Sequence, residues 1–440
     1  MAEWPTRWGK YRFDAIGIPA AYTYLGQLIA HDLTWNEATV SGSAVRFRRA
    51  SLDFKSIFQQ DPDLAPAHSV CEASGLALGR TSADRLDDLP RSQSGTPTLT
   101  DMRNDQTLTL SQLVVLVTKF YQVCAARTSD ESQAFLDARR HLQWVVLYDY
   151  LPRVIDPIVY RDVIRSQMWP LLGDGAGLIP IEFSAAAFRL GHAMVRYRYP
   201  HWREGGGGAS LQDLLRFTHH SANTRLVDVA GEARLPDDWI AGWTFLLSGE
   251  EEDARTSLSA AIDENLALDL FAVPDSIGDC LRSARRPNGT GSGTFNLAEH
   301  TLVRGNRLRL DSAQSLSALA HDRLKEAGAA PLPRRLPAIR LTQTRSHGLG
   351  DFLMSDHAKP LLTETPIWLY FLREADVHAS GQHFGPLASR ITMETIFRAI
   401  WNDPEGILRI DFKPGFSHDS GKFGLKDLHD VVQTHWKLKS

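Results

Sequence analysis

Tyr22-Thr23-Tyr24-Leu25-Gly26-Gln27-Leu28-Ile29-Ala30-His31-Asp32 is the stretch on which the reading of this chain turns. Pro19 just before it is acceptable in a helix's first turn, and at 3.6 residues per turn positions 24, 27, 28, 31 and 35 fall on one side. Gln27 and His31 therefore point the same way from a largely apolar helix. Far downstream, Phe188-Arg189-Leu190-Gly191-His192 again sets one histidine on an apolar face. Elsewhere helical patterning dominates, with 17–35, 108–127, 131–151, 183–198, 209–217, 236–248, 254–268, 313–326 and 388–402 reading as amphipathic or buried helices. Alternation at period two is scarce and no fixed repeat recurs. The expectation is an all-α, mainly helical chain with long irregular loops.

A length of 440 residues allows two or three average domains, but the order of the motifs argues for one catalytic domain over residues 1–440. At 43% hydrophobic and 23% charged the chain has an ordinary globular composition, so a large core is available and wholesale disorder is excluded. The net charge of −4 offers no basic field for nucleic acid, and Arg46, Arg48 and Arg49 read as a solvated local cluster. Cys71, Cys124 and Cys280 are widely separated and lack CxxC spacing, which argues against a disulfide framework. The first residues have no apolar core of signal-peptide length, and no window reads as the roughly 18 apolar residues of a membrane span. Cytoplasmic residence is the expectation.

Irregular segments punctuate the helices. Residues 36–100 are rich in Ser, Asp, Arg and Pro, and a stretch of that length reads as a functional wrap rather than empty loop. Gly205-Gly206-Gly207-Gly208 and Asn288-Gly289-Thr290-Gly291-Ser292-Gly293 are flexible breaks, lacking the strand before and the lysine or acid after that a phosphate loop needs. His219-His220 has no third ligand at helical spacing and reads as a surface pair.

The segment Gly26 to Asp32 closely resembles the distal helix of the animal-type haem peroxidases, the superfamily that holds myeloperoxidase and the cyclooxygenases, and Phe188 to His192 resembles its proximal helix. Met102-Arg103-Asn104-Asp105-Gln106 is similar to the loop carrying the distal arginine, and Trp144 to Arg153 to the long helix before the proximal segment. Arg304-Gly305-Asn306-Arg307-Leu308 resembles the segment whose arginine reaches a haem propionate, and Phe384 to Ile391 a late family element. The matches keep the family order across about residues 15 to 400. On these segments the chain is identified as a bacterial, noncovalent-haem member of the superfamily.

The resemblance implies a haem b peroxidase that reduces hydrogen peroxide, stores two oxidising equivalents and passes them to an organic or halide substrate. His192 would be the iron ligand, because an open site opposite one histidine lets peroxide in. Arg189 matches a family arginine near the active site. His31 would shuttle the peroxide proton, Arg103 would stabilise charge on the departing oxygen, and Gln27 would order a water or the oxidant. The two carboxylates that esterify haem in mammalian relatives are replaced by Ala30 and Gln106, and the residue after the second is Thr107. Haem should therefore be held noncovalently, by His192, apolar walls and Arg304. Thr301 falls where the family places the asparagine that accepts from the proximal histidine, so that bond would run through water or pass to a neighbour such as His300.

Asp32 and Asp53 match family calcium ligands, but Arg49, Ser51 and Lys55 stand where oxygen donors belong. Either a degenerate calcium site remains or the Lys55 ammonium sits between the two carboxylates. Arg189 occupies the place of the radical-forming tyrosine of fatty-acid dioxygenases, which disfavours that chemistry. The rival readings are a peroxygenase or tailoring enzyme acting on a secondary metabolite, and a haem-binding scaffold without turnover. The loops 36–100 and 199–210 are the candidate substrate walls.

Overall fold

A computed structural model describes residues 15–34, 50–58, 77–173, 178–221, 223–248, 257–274, 294–417 and 422–437. It is predominantly helical, with only two-stranded ribbons among the described residues. The helix Leu108–Ala125 runs through the middle, packed by Ala21–Thr34, Glu131–Val145 and Leu425–Lys437. The Thr107 hydroxyl accepts from the Leu110 amide at its start. By length and composition it could cross a membrane, yet 83% of it is buried inside the protein, so it is read as a core helix. The buried apolar side chains form one contiguous cluster from Ile18 to Val432.

Pro386–Trp401 is buried on every side, every residue from Pro386 to Ile400 being shielded. Its charged residues are accordingly paired, although the Thr392 hydroxyl has no hydrogen-bond partner in the structure. Arg390 meets Glu394 and Asp162, while Glu374 of the neighbouring helix Ile367–Ala379 accepts the amides of Leu387 and Ala388.

Several expected helices are corrected. Residues 15–19 form a strand paired with Leu258–Ala260, and the first helix begins only at Ala21. That pairing removes the helix expected over 254–268, of which 254–256 lie outside the described residues. All of 257–263 is buried, whereas an amphipathic helix would bury one stripe. The Ala260 amide goes to the Met194 carbonyl and the Ile262 amide to Gly381, so the backbone bonds leave the segment. The helix expected over 131–151 is present and runs on to Val154, its one departure being a wider π turn at Val146–Tyr150. The 183–198 helix is broken at Ala186 (φ −138°) into Ile181–Ala185 and the tighter turns Ala187–His192. Of 209–217 only Leu211–Arg216 is helical, and of 236–248 only Trp243–Leu246. Ala313–Glu326 and Pro386–Trp401 agree with the expected spans to within two residues. The helices Pro157–Ser166, Leu297–Arg307, Ile367–Ala379 and Leu425–Lys437 had no counterpart in the sequence reading.

Arg46, Arg48, Arg49, Cys71, Cys280 and the Asn288–Gly293 run lie outside the described residues. Cys124 is a free, buried thiol. The four glycines at 205–208 lie between the short paired strands Arg198–Tyr199 and Ala209–Ser210.

Candidate active site

Segments far apart in sequence wall one cavity. Ala21–Thr34 contributes Gln27, Ala30 and His31, the turn Met102–Asp105 contributes Arg103, Ala187–His192 contributes Arg189 and His192, and Leu297–Arg307 contributes Arg304. The cavity volume is about 210 Å³, on a scale where one water needs roughly 10–15 Å³. The space suits a ligand far larger than water. Phe183, Phe188, Leu211, Leu270 and Phe295 supply apolar wall. Gly26 is required by a close approach, since a Cβ there would stand 2.5 Å from the Tyr150 hydroxyl. Tyr150 lines the cavity from the π turn, a residue the sequence reading did not single out.

His31 is 5% exposed, and its Nδ1 lies 3.0 Å from Asn104 Oδ1. Burial, and then the charge of Arg103, push its pKa down to about 4. The imidazole is therefore uncharged at neutral pH. Gln27 Nε2 donates to Gln106 Oε1 at 3.4 Å, linking the two amides that flank the histidine.

Arg103 is not a free cation. Its guanidinium is clamped by Asp101 at 2.6–3.0 Å, by the His31 carbonyl at 2.7 Å and by the Thr34 hydroxyl at 3.1 Å. Burial opposes the Asp101 charge, but Arg103 outweighs it and holds the carboxyl below its usual range. Asp101 also caps the turn by accepting the Arg103 amide. The turn is fixed from below by Arg91, which makes a paired contact to both oxygens of Asp105 at 2.9 and 3.0 Å and reaches Asp88 at 2.9 Å. Arg91 thus gives part of the irregular 36–100 stretch a structural task. Nor is His219-His220 a surface pair, because the His219 amide donates to Asp105 and the His220 ring bonds the Met102 carbonyl, both half-buried beneath this turn.

Burial, then Arg189 and His300, push the pKa of His192 down to about 3, leaving a neutral imidazole on the cavity wall. Its Nδ1 is buried with no hydrogen-bond partner in the structure. Thr301, although buried, is not that partner: its hydroxyl donates to the Leu297 carbonyl at 2.8 Å within its own helix.

Asp32 and Asp53 are both buried, and burial together with Asp53 pushes Asp32 up to about 7. Asp32 accepts the amides of Phe54 at 2.9 Å and Ser56 at 3.0 Å. Phe54 takes φ +54°, a left-handed backbone uncommon for a bulky residue, and the surrounding contacts hold it there. Lys55 pairs with Asp53 at 2.7 Å, and it is these backbone amides that meet Asp32, which corrects the expectation of an ammonium shared between the two carboxylates. No group of three or more His, Cys, Asp or Glu side chains suited to a metal ion occurs among the described residues.

The residues present fit a haem. A half-buried neutral histidine is available as ligand, the wall is largely aromatic and aliphatic, and Arg189 and Arg304 supply cations for carboxylates. Ala30 and Gln106 offer no carboxylate for an ester.

A scan against protein-family models finds no match, and a search of curated proteins finds none. Among solved structures the chain is similar to Peroxidase A from Dictyostelium discoideum, with a TM-score of 0.56 and 14% identity over 89% of this chain and 81% of that one. At such identity the likeness speaks for the backbone arrangement, over most of both chains. This chain has a peroxidase-like fold.

Proposed function

We propose that the chain is a haem-dependent peroxidase that uses hydrogen peroxide to oxidise a small organic or halide substrate. The observation that carries the reading is the convergence of Gln27, His31, Arg103, His192 and Arg304, from four distant segments, on one cavity. His192 would hold the haem iron noncovalently, with Arg304 and Arg189 facing the propionates and apolar side chains enclosing the ring. Bound haem supplies the two-electron redox chemistry.

The chain's own residues handle protons and charge. His31, uncharged at neutral pH, accepts a proton from hydrogen peroxide and returns it to the oxygen that leaves as water. Arg103 offsets negative charge on that departing oxygen, tempered by Asp101, which also fixes where the guanidinium stands. Gln27 and Gln106 present a linked pair of amides beside the same space.

The test is reconstitution with haem followed by rapid mixing with hydrogen peroxide. A fast spectral change, slowed about 10²–10⁴-fold in His31→Ala, is the expected result. Haem that binds but never responds to peroxide would leave a haem-binding scaffold, and oxygen insertion into substrate in place of electron withdrawal would move the assignment to a peroxygenase.

A further inference from the structure

We infer that Asn104 is a positioning residue that fixes His31 in one tautomer, protonated on Nδ1 and bare on Nε2. Asn104 Nδ2 lies 3.2 Å from the Ser56 carbonyl, a group that only accepts, so the amide must turn its NH₂ that way. Its Oδ1 then faces His31 Nδ1 at 3.0 Å. An amide oxygen also only accepts, so Nδ1 must carry the proton. The lone pair is left on Nε2, in a ring that lines the cavity.

The anchor is itself anchored. The Ser56 amide donates to Asp32 Oδ1 at 3.0 Å, and Asp32 is the residue after His31. The hydrogen bonds therefore close a ring, from His31 through Asn104 and Ser56 to Asp32 and back along the chain. Ser56 and Asn104 are fully shielded and His31 and Asp32 nearly so, which removes water as a competing partner. Phe54, at φ +54°, sends a second amide to the other oxygen of Asp32. Free histidine favours the opposite tautomer, protonated on Nε2, which has no lone pair to offer on that atom. Asn104 thus selects the form able to accept a proton from a molecule in the cavity.

The tautomer stands on hydrogen-bond geometry alone, whereas its use in catalysis rests on the peroxidase reading. The test is long-range ¹H–¹⁵N correlation on the full-length chain labelled with ¹⁵N-histidine, with no haem added, at neutral pH, His31 being assigned by loss of its signals in His31→Gln. The expected wild-type pattern is a protonated Nδ1 and an unprotonated Nε2. Asn104→Leu, of similar size but with no acceptor, should lose that preference, and Asn104→Asp, which restores the acceptor for Nδ1 but not the donor to Ser56, should again hold a proton on Nδ1. A wild-type signal protonated on Nε2 would overturn the inference even if neither variant folds, as would an unchanged pattern in Asn104→Leu. With haem loaded, Asn104→Leu should slow the reaction with hydrogen peroxide about tenfold or more, and Asn104→Asp should recover most of it. The expected tautomers together with no peroxide reaction in any form would uphold the positioning role and sink the peroxidase reading instead.

Discussion

Replacing Arg91 with methionine tests what holds the turn under the cavity. The guanidinium is 4% exposed and faces two carboxylates, Asp105 at 0% and Asp88 at 1%. Methionine keeps most of the apolar stem and deletes three bonds to carboxylates and a fourth to the Gly95 carbonyl, leaving two buried carboxylates without their cation. Breaking a buried pair from one side costs about 3–5 kcal/mol. At about 2.1 cal/mol/K per residue, a chain of 440 residues has an unfolding entropy of about 0.9 kcal/mol/K, so Tm should fall by roughly 3–6 °C.

Burial pushes the Asp105 carboxyl up and Arg91 more than reverses it, so its pKa stands below the ordinary value in the folded protein. Its stabilisation is present above the ordinary carboxylate range and is lost as pH falls through the lowered value. Without Arg91 the same burial goes unopposed and raises that carboxyl, so Arg91→Met regains stability by taking up a proton, and the gap to wild type should narrow from pH 7 to pH 4 and further below it. Chemical denaturation followed by circular dichroism gives both readings. Adding Asp105→Asn should cost less than the two single changes together, by about 1–3 kcal/mol of coupling. A loss under about 1 kcal/mol for Arg91→Met, or additive single changes, would refute the claim that this pair fixes the turn.

His192→Ala should abolish haem retention or shift the Soret band drastically, while Thr301→Val should leave that band in place because its hydroxyl is spent on Leu297; an unchanged band in the first variant sinks the ligand assignment. Haem should leave the denatured protein under acid-acetone extraction, since Ala30 and Gln106 cannot form esters, and haem retained by the polypeptide would count against this. Extensively dialysed protein should carry well under one calcium per chain, as the Asp32 oxygens already accept two amides; a tight one-to-one ion would mean that the Asp53–Lys55 pair opens. Burial pushes Glu374 up to about 8, so the native state keeps a proton that the unfolded chain releases, and stability should fall as pH rises from about 4.5 to 8. Glu374→Gln should flatten that slope in denaturation series, and an unaltered slope would show that the carboxyl ionises freely.

How far the sequence carried the site can be traced residue by residue. Gln27 and His31 lie four apart on a strongly apolar helix, so local periodicity sufficed to put them on one face, and both reach the cavity. Thr301 was found by counting along a helix, and the count gave a buried position, yet a hydroxyl's choice between its own helix carbonyl and a distant ring is not a matter of spacing. Asp101 left a readable trace as the cap two residues before Arg103. Asn104 left none, because its task depends on Ser56, which is 48 residues away. Leu258–Ala260 failed as a helix for the same reason: its strand partner begins near residue 15. Period-based reading sees contacts within a turn or two, and the errors concentrate where a segment's bonds go to remote chain.

The ribbon joining residues 15–19 to Leu258–Ala260 and the walls reaching from Gln27 to Arg304 also set a schedule for synthesis. At about 5–20 residues per second, roughly 15–55 s separate the emergence of His31 from that of Arg304. Through that interval the first helix has neither its strand partner nor the far side of its cavity, and its apolar face waits on chain not yet made. Whatever fills the cavity therefore finds all of its walls only after Arg304 has emerged, and until then the apolar face of the early helix needs shielding.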